Sequence, residues 1–357
     1  MLKLFNRKRK PRELAPQLTT YERRSLAQPG IPPAGLPYAT YDQMQTDSMV
    51  QTALTVKKLG VLAGEWKIVP ASDSPTARRQ AAFVEEVFSR MEGSPHTILA
   101  AAMDAFAKGW SVQESVYEFE SGRAWLQAVR PKDPALFGLE TDSFARITGL
   151  RLRIPGQDEI QLPREKFVIY QNRTRYGNVR GTSDLDAAHR HWQSKETLIA
   201  AWKLHLERFA MPTVLGKYAR GLPADEQAEL LASLDNLNRI TALLYPDEIQ
   251  IDTLGGDKEP STGFMDALDF HNREIARAIL GQTLTTDEGR RVGSLAMGKV
   301  HLQVLLLQLQ AIRQDLADRV MTEQVIRPLI EMNFGDRQIP RFEFDSQPAK
   351  VFVTGEF

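Results

Sequence analysis

The run LDAAHRHWQSKETLIAAWKLHLERF, Leu185 to Phe209, decides the architecture. Within it Leu185, Trp192, Ile199 and Leu206 recur every seven residues, flanked by Ala188, Trp202 and Phe209. An apolar repeat of that period draws one seam along a helix. Asp184 stands where an N-cap is needed, and Met211-Pro212 ends the run, because a residue before proline is pushed out of the α region. The spacing predicts one helix over 185–209, about 37 Å long at the α-helical rise. Its seam packs either within its own chain or against copies in neighbouring subunits.

Downstream, the pattern reads as strand, helix, strand: Thr213–Lys217, Pro223–Leu237 with an N-terminal proline and acidic first turn, and Glu248–Leu254, closed by Gly255-Gly256. A second long helix follows over Ser261–Leu280, with Phe264, Leu268, Ile275 and Ile279 on one side. Two rods bracketing a small α/β unit would project it away from the main body, where it buries little; association of copies is the natural remedy. A polar, glycine-punctuated loop occupies 281–293. The next helix runs from Leu295 to about Ile330, with Leu302, Leu305, Leu309, Ile312, Leu316 and Val320 on its apolar face, and Pro328 is expected to kink or end it. Arg341–Phe344 reads as a strand.

Upstream, prolines and glycines crowd residues 11–37, which reads as an extended arm. Helices are expected over Tyr41–Val61, Thr76–Met91 and Pro95–Gly109. Strands are expected over Trp66–Val69, Val112–Phe119, Trp125–Val129, Ile147–Ile154 and Phe167–Tyr170. The fold class is α+β.

Composition narrows the functions. The 357 residues hold 45 Lys+Arg and 45 Asp+Glu, for zero net charge, and no cysteine. Disulfides, cysteine-based zinc sites and thiol nucleophiles are excluded. A protein that grips nucleic acid by bulk charge would be strongly basic. The cluster Lys3, Arg7, Lys8, Arg9, Lys10 and Arg12 lacks the apolar stretch of a signal peptide, and no run approaches a membrane span, so a soluble protein made in the cytoplasm is expected.

No catalytic constellation emerges, and no cofactor or metal site is expected. Gly293-Ser294-Leu295-Ala296-Met297-Gly298-Lys299-Val300 has the glycine and lysine spacing of a phosphate loop, the one opening for a nucleotide- or nucleic-acid-acting enzyme. Val300 stands where a hydroxyl must hold magnesium, and no buried strand precedes it. His189 and His191 point to different faces of their helix, and His271 has no partner motif. Arg290, Arg291 and Lys299 belong either to a solvated loop or to one that offers cations to a phosphate backbone.

Three stretches carry a resemblance. Tyr176 to Leu185 continuing through Trp192, Lys195, Trp202 and Leu206–Pro212, together with Ala276–Asp287 and Leu295–His301, resembles the Mu-type portal proteins of tailed bacteriophages. The similarity covers roughly residues 14–335. It implies a homo-oligomeric ring, usually of twelve copies, at one vertex of the phage head, through which double-stranded DNA is packaged and ejected. The implied layout is an N-terminal arm over 1–40, a wing over 41–184, stem helices over 185–209 and 258–280, a clip over 210–257, a tunnel loop over 281–294, a long wing helix over 295–335 and a short tail over 336–357. Leu185, Trp192, Ile199, Trp202 and Leu206 would pack the first stem helix, and Arg290, Arg291 and Lys299 would line the DNA channel. Implied partners are terminase, head-tail adaptors, capsid and scaffold proteins, with no membrane. The implied location is the virion, after assembly in the host cytoplasm. Against this pattern the chain stops soon after Phe344, so the crown is expected to be truncated or absent, as in a truncated gene, a prophage remnant or a compact variant; a defective remnant would act only as a binding module.

Overall fold

The structure, a computed structural model, describes residues 35–176, 178–210, 214–218, 221–235, 242–246, 260–282, 295–335 and 338–345. It divides into two compact units, one of Met1–His189 with Ile275–Phe357 and one of Arg190–Glu274. In the first, the single helix read over 41–61 is two: α1 (Tyr38–Met44) and α2 (Ser48–Leu62). The break falls at Asp47, whose carboxylate accepts from the amides of Met49 and Val50 and so starts a new helix. α2 buries Val50, Ala53, Leu54, Lys57 and Val61, one stripe at helical spacing that includes a lysine. β1 (Trp66–Val69) precedes α3 (Pro75–Arg90), which opens with Ser74 accepting from the Ala77 amide and proline in the first turn. The stretch read as one helix to Gly109 is α4 (Pro95–Ala102) and a short α5 (Ala105–Lys108), ended by Gly109 at φ +84°.

Six strands follow: β2 (Trp110–Glu120), β3 (Arg123–Lys132), β4 (Phe137–Thr141), β5 (Ile147–Leu152), β6 (Ile160–Pro163) and β7 (Phe167–Gln171). They make two antiparallel sheets, ordered β3-β2-β7 and β4-β5-β6. β4 and β6 escaped the sequence reading because they are short, β4 with a glycine inside it and β6 largely uncovered, so neither gives a sustained alternation between apolar and polar. Trp110, Val112, Phe137, Leu150, Phe167 and Ile169 join the sheets in one buried cluster, with Leu139, Ile147, Leu152 and Leu162 at its margin.

α6 (Leu185–Ala210) matches the predicted rod to within a residue. From Arg190 onward it belongs to the second unit, with β8 (Val214–Tyr218), α7 (Ala224–Asp235), β9 (Ala242–Pro246) and α8 (Pro260–Leu280), the last as far as Glu274. β8 and β9 pair in parallel, Val214 opposite Ala242 and Tyr218 opposite Pro246, with α7 as the crossover. The second strand was expected at 248–254, a stretch outside the described residues. A parallel strand reads as a continuous apolar run, which Ala242-Leu243-Leu244-Tyr245 is.

The first unit resumes with α9 (Leu295–Leu316), a π-helical stretch over Ala317–Ile326, α10 (Arg327–Phe334) and β10 (Arg341–Phe344), which pairs antiparallel with β1. The helix therefore passes Pro328 and ends at Gly335 with φ +62°. The Arg327 amide reaches back five residues to the Thr322 carbonyl. Such a wide turn suits the approach to a proline, whose ring in α geometry would strike the carbonyl four residues earlier. Two amide side chains of this segment cover both edges of the β3-β2-β7 sheet. Gln324 accepts from the Ile169 amide at 2.8 Å and donates to its carbonyl at 2.9 Å on β7, and Asn333 does the same to Ala124 on β3, both at 2.9 Å. Each imitates a neighbouring strand where an unpaired edge would invite another chain.

Tight approach of backbone to backbone at Gly181, φ +66°, leaves no room for a side chain: a Cβ there would collide with the carbonyl of Gly109 and lie 2.5 Å from that of Asn172. Gly181→Ala is expected to lower stability by about 1–3 kcal/mol or more, read as a reduced urea midpoint; an unchanged midpoint would contradict this packing.

Candidate functional site

Between β7 and α6 the chain makes a tight connection whose buried end carries charge. Asp184 is fully buried, and three groups converge on its carboxylate. Lys57 Nζ lies 2.5 Å from Oδ2, while Asn172 Nδ2 and Arg173 Nε lie 3.0 and 3.3 Å from Oδ1. Lys57 also donates to the Ile279 carbonyl at 3.3 Å and sits 4.5 Å above the Phe106 ring. Burial pulls its ammonium below the ordinary lysine value, and the Asp184 carboxylate opposes that pull. The carboxylate thus takes cations and an amide, while the Leu185 amide is taken by the Ser183 hydroxyl at 3.0 Å. Asp184 was read as a helix cap; it is instead the ionic anchor where the helix begins. Lys57, Asn172 and Arg173 were missed. The available signal was a lysine at a buried position of the α2 stripe.

Left-handed residues and side-chain hydrogen bonds shape the described part of the connection. Arg173 (φ +48°), Tyr176 (φ +53°) and Gly181 have left-handed backbone. Asn178 Nδ2 donates to the Gly181 carbonyl at 2.6 Å and to Thr182 Oγ1 at 3.2 Å, Gln171 Nε2 donates to the Val179 carbonyl, and Asn172 Nδ2 donates to the Thr182 carbonyl at 2.9 Å. Arg173, Arg175, Tyr176 and Arg180 are exposed.

In the second unit, α6 and α8 meet through aromatic rings. His191 and His271 stand with their Nδ1 atoms 3.2 Å apart, and His205 and Phe264 have centroids 5.6 Å apart. The imidazole contact needs one nitrogen to donate and the other to accept, so it fails when both rings are protonated. Burial and the neighbouring His191 lower the His271 value, against a rise from Glu274. His271, read as having no partner, finds one across the helix pair.

Of the predicted packing residues, Leu185 is fully buried, Trp192, Ile199 and Trp202 are half-buried, and Leu206 is 47% exposed. Leu204 on α6 and Met265 and Phe270 on α8 are exposed as well. Arg290 and Arg291 lie outside the described residues. Lys299 falls within α9, whose backbone is helical from Leu295, so Gly298-Lys299 is part of a helix and not of a loop able to wrap a phosphate. Among the described residues no group of three or more potential ligands assembles for a metal ion, and no helix is long and apolar enough to cross a membrane.

A family model described as the portal protein of Mu bacteriophage matches residues 38–351. The chain belongs to the Mu portal protein family. It is 27% identical over 318 residues to the portal protein of Escherichia phage Mu, covering 88% of this chain and 60% of that protein. Its identity to the Mu-like prophage FluMu protein gp29 of Haemophilus influenzae is 26% over 324 residues, covering 88% and 61%. The portal chain thus spans about 60% of the length of these curated relatives. Solved structures of gene transfer agent particles contain similar chains. One from the native virion has a TM-score of 0.59 at 14% identity, covering 92% of this chain and 90% of that one. Another from the neck of the empty particle, computed with C6 symmetry, has 0.59 at 16%, covering 92% and 91%. A third from the native neck, computed with C12 symmetry, has 0.58 at 15%, covering 92% and 90%. These likenesses establish the shared mixed helix-and-strand fold.

Two outcomes are expected of this portal chain. Lys57→Ala leaves a buried carboxylate with fewer partners and should destabilise the first unit by about 3–5 kcal/mol; in a denaturant titration, a loss below about 1 kcal/mol, the scale of an exposed pair, would show the pair to be dispensable. Because folding lowers the His271 value below that of the unfolded chain, the unfolded state binds the extra proton as pH falls. The α6–α8 contact should therefore be fully stable above pH 6.5 and lose stability as pH falls below it. Hydrogen exchange of α8 amides should report this, and His271→Asn should flatten the dependence.

Proposed function

We propose that this chain is a structural portal subunit that assembles into a ring, of twelve copies by family likeness, at one capsid vertex, as the conduit for DNA packaging and ejection. Family membership carries the reading. Residues 41–184 and 295–335 are assigned to the wing, 185–209 and 258–280 to the stem, 210–257 to the clip that docks terminase and adaptors, and 281–294 to the tunnel loop. Capsid and scaffold proteins are the remaining partners, and the site of action is the virion, following assembly in the host cytoplasm. The parallel βαβ unit between two long helices supports the stem and clip assignment. Leu204, Leu206, Met265 and Phe270 support self-association, since these large apolar side chains are left uncovered by folding of one chain. Packaging work belongs to a partner ATPase, and the helical backbone at Gly298-Lys299 weighs against a phosphate loop in this chain.

Electron microscopy of the purified protein should show rings with a central pore, and a strictly monomeric species at high concentration would refute the assignment. Ile199→Pro should break α6 at about 3 kcal/mol and abolish rings. Arg290→Ala with Arg291→Ala should leave rings intact and alter DNA retention; failure of assembly first would move those residues from the channel to an interface.

A further inference from the structure

We propose that the connection carrying Arg173, Arg175, Tyr176 and Arg180 is a second contact for the phosphate backbone of double-stranded DNA, independent of residues 281–294. The chain as a whole is neutral, yet from Phe167 to Ser183 it holds three arginines and no acidic residue. The local balance is more positive than the sequence alone suggests. Lys57 and Arg173 share the single carboxylate of Asp184, so one positive charge of that trio is uncompensated. Neither Arg175 nor Arg180 is held by a carboxylate among the described residues, and both are exposed. Arg319 lies beneath, donating to the backbone and side-chain oxygens of Gln171, with its own charge met by Asp315.

Shape adds to charge. Two non-glycine residues with left-handed backbone, Arg173 and Tyr176, together with the hydrogen bonds of Asn172, Asn178 and Gln171, hold the arginines on a preformed scaffold. A contact built in advance loses little conformational freedom on binding. Guanidinium groups offer forked donors that fit phosphate oxygens, and the Tyr176 side chain, 81% exposed, carries a hydroxyl of the kind that joins such contacts. A protein partner would need an apolar anchor at the centre of its interface. Tyr176 is the one large exposed side chain here that approaches one, so phosphate is the better fit. With no helix or strand offered to a groove, the contact reads no bases.

The test is fluorescence anisotropy of the full chain with a short labelled duplex, titrated across salt concentrations, for wild type and for Arg175→Gln/Arg180→Gln. Both side chains are exposed, and circular dichroism with particle images verifies fold and assembly. The double variant should reduce the slope of log affinity against log salt by about 2, at roughly 0.9 per lost phosphate contact. A duplex of different sequence should give the same result, and Arg175→Lys/Arg180→Lys should recover the slope. Superposition of wild type and the glutamine variant overturns the proposal, as does failure of lysine to recover the slope. Loss of all salt-dependent binding in Arg290→Ala/Arg291→Ala alone would also overturn it, placing DNA contact in residues 281–294 only. Unchanged DNA binding with lost binding of poly-glutamate would overturn it in favour of an acidic protein partner.

Discussion

The ion pair of Lys57 with Asp184 is the constraint on which the rest of the first unit depends. Taking both charges out of water is costly, and an incomplete partnership there would be worse than an apolar core. The structure meets that constraint by bringing four chain segments to one point: α2 through Lys57, the exit of β7 through Asn172 and Arg173, the start of α6 through Asp184, and the end of α8 through the Ile279 carbonyl. Close passage of Gly109, Asn172 and Gly181 closes the same knot from the backbone side, with Asn172 N donating to the Gly109 carbonyl at 2.8 Å and Thr182 N to the Asn172 carbonyl at 2.7 Å. Both long helices are therefore rooted by the same buried polar cluster.

The C-terminal helical segment plays a second organising role. Its side chains close both edges of the β3-β2-β7 sheet and reach β10 through Thr322, whose hydroxyl accepts from the Phe342 amide at 3.1 Å. Arg313 on α9 donates to the carbonyls of Gly60 and Val61, the orphan acceptors at the end of α2. A sheet edge and a helix end are both rows of unsatisfied backbone groups, and this one segment satisfies each with a polar side chain.

Neutral overall charge is compatible with the conduit role proposed above, since each tight phosphate contact raises affinity and a uniformly basic surface would hold any DNA that had to pass. Neutrality of the whole leaves room for local imbalance. The arginine-bearing connection before α6 concentrates charge because its nearest carboxylate is buried and shared between two cations.

How much was legible in the sequence follows from the range of the forces involved. Periodicity and punctuation are local, so α6 with its seven-residue repeat, α8, β1 and β10 could be read nearly to the residue, and so could the first strand and the helix of the small unit between the long helices, to within two residues. Long matching stretches placed the chain in its family, although the helix-capping role assigned to Asp184 gave way to an ion pair with a lysine 127 positions away. The break at Asp47, the short strands β4 and β6, the second parallel strand at 242–246 and the passage of the last helix beyond Pro328 were not legible, because each depends on partners remote in sequence or on a local pattern that two structures share. The sequence by itself determined the elements that carry their own apolar period, the α+β class and the absence of thiol chemistry. Only the tertiary structure decided which charges are buried together, which histidine meets which, and which arginines remain at the surface. Pairing of polar groups is set by distance in space, and a linear pattern does not record that distance.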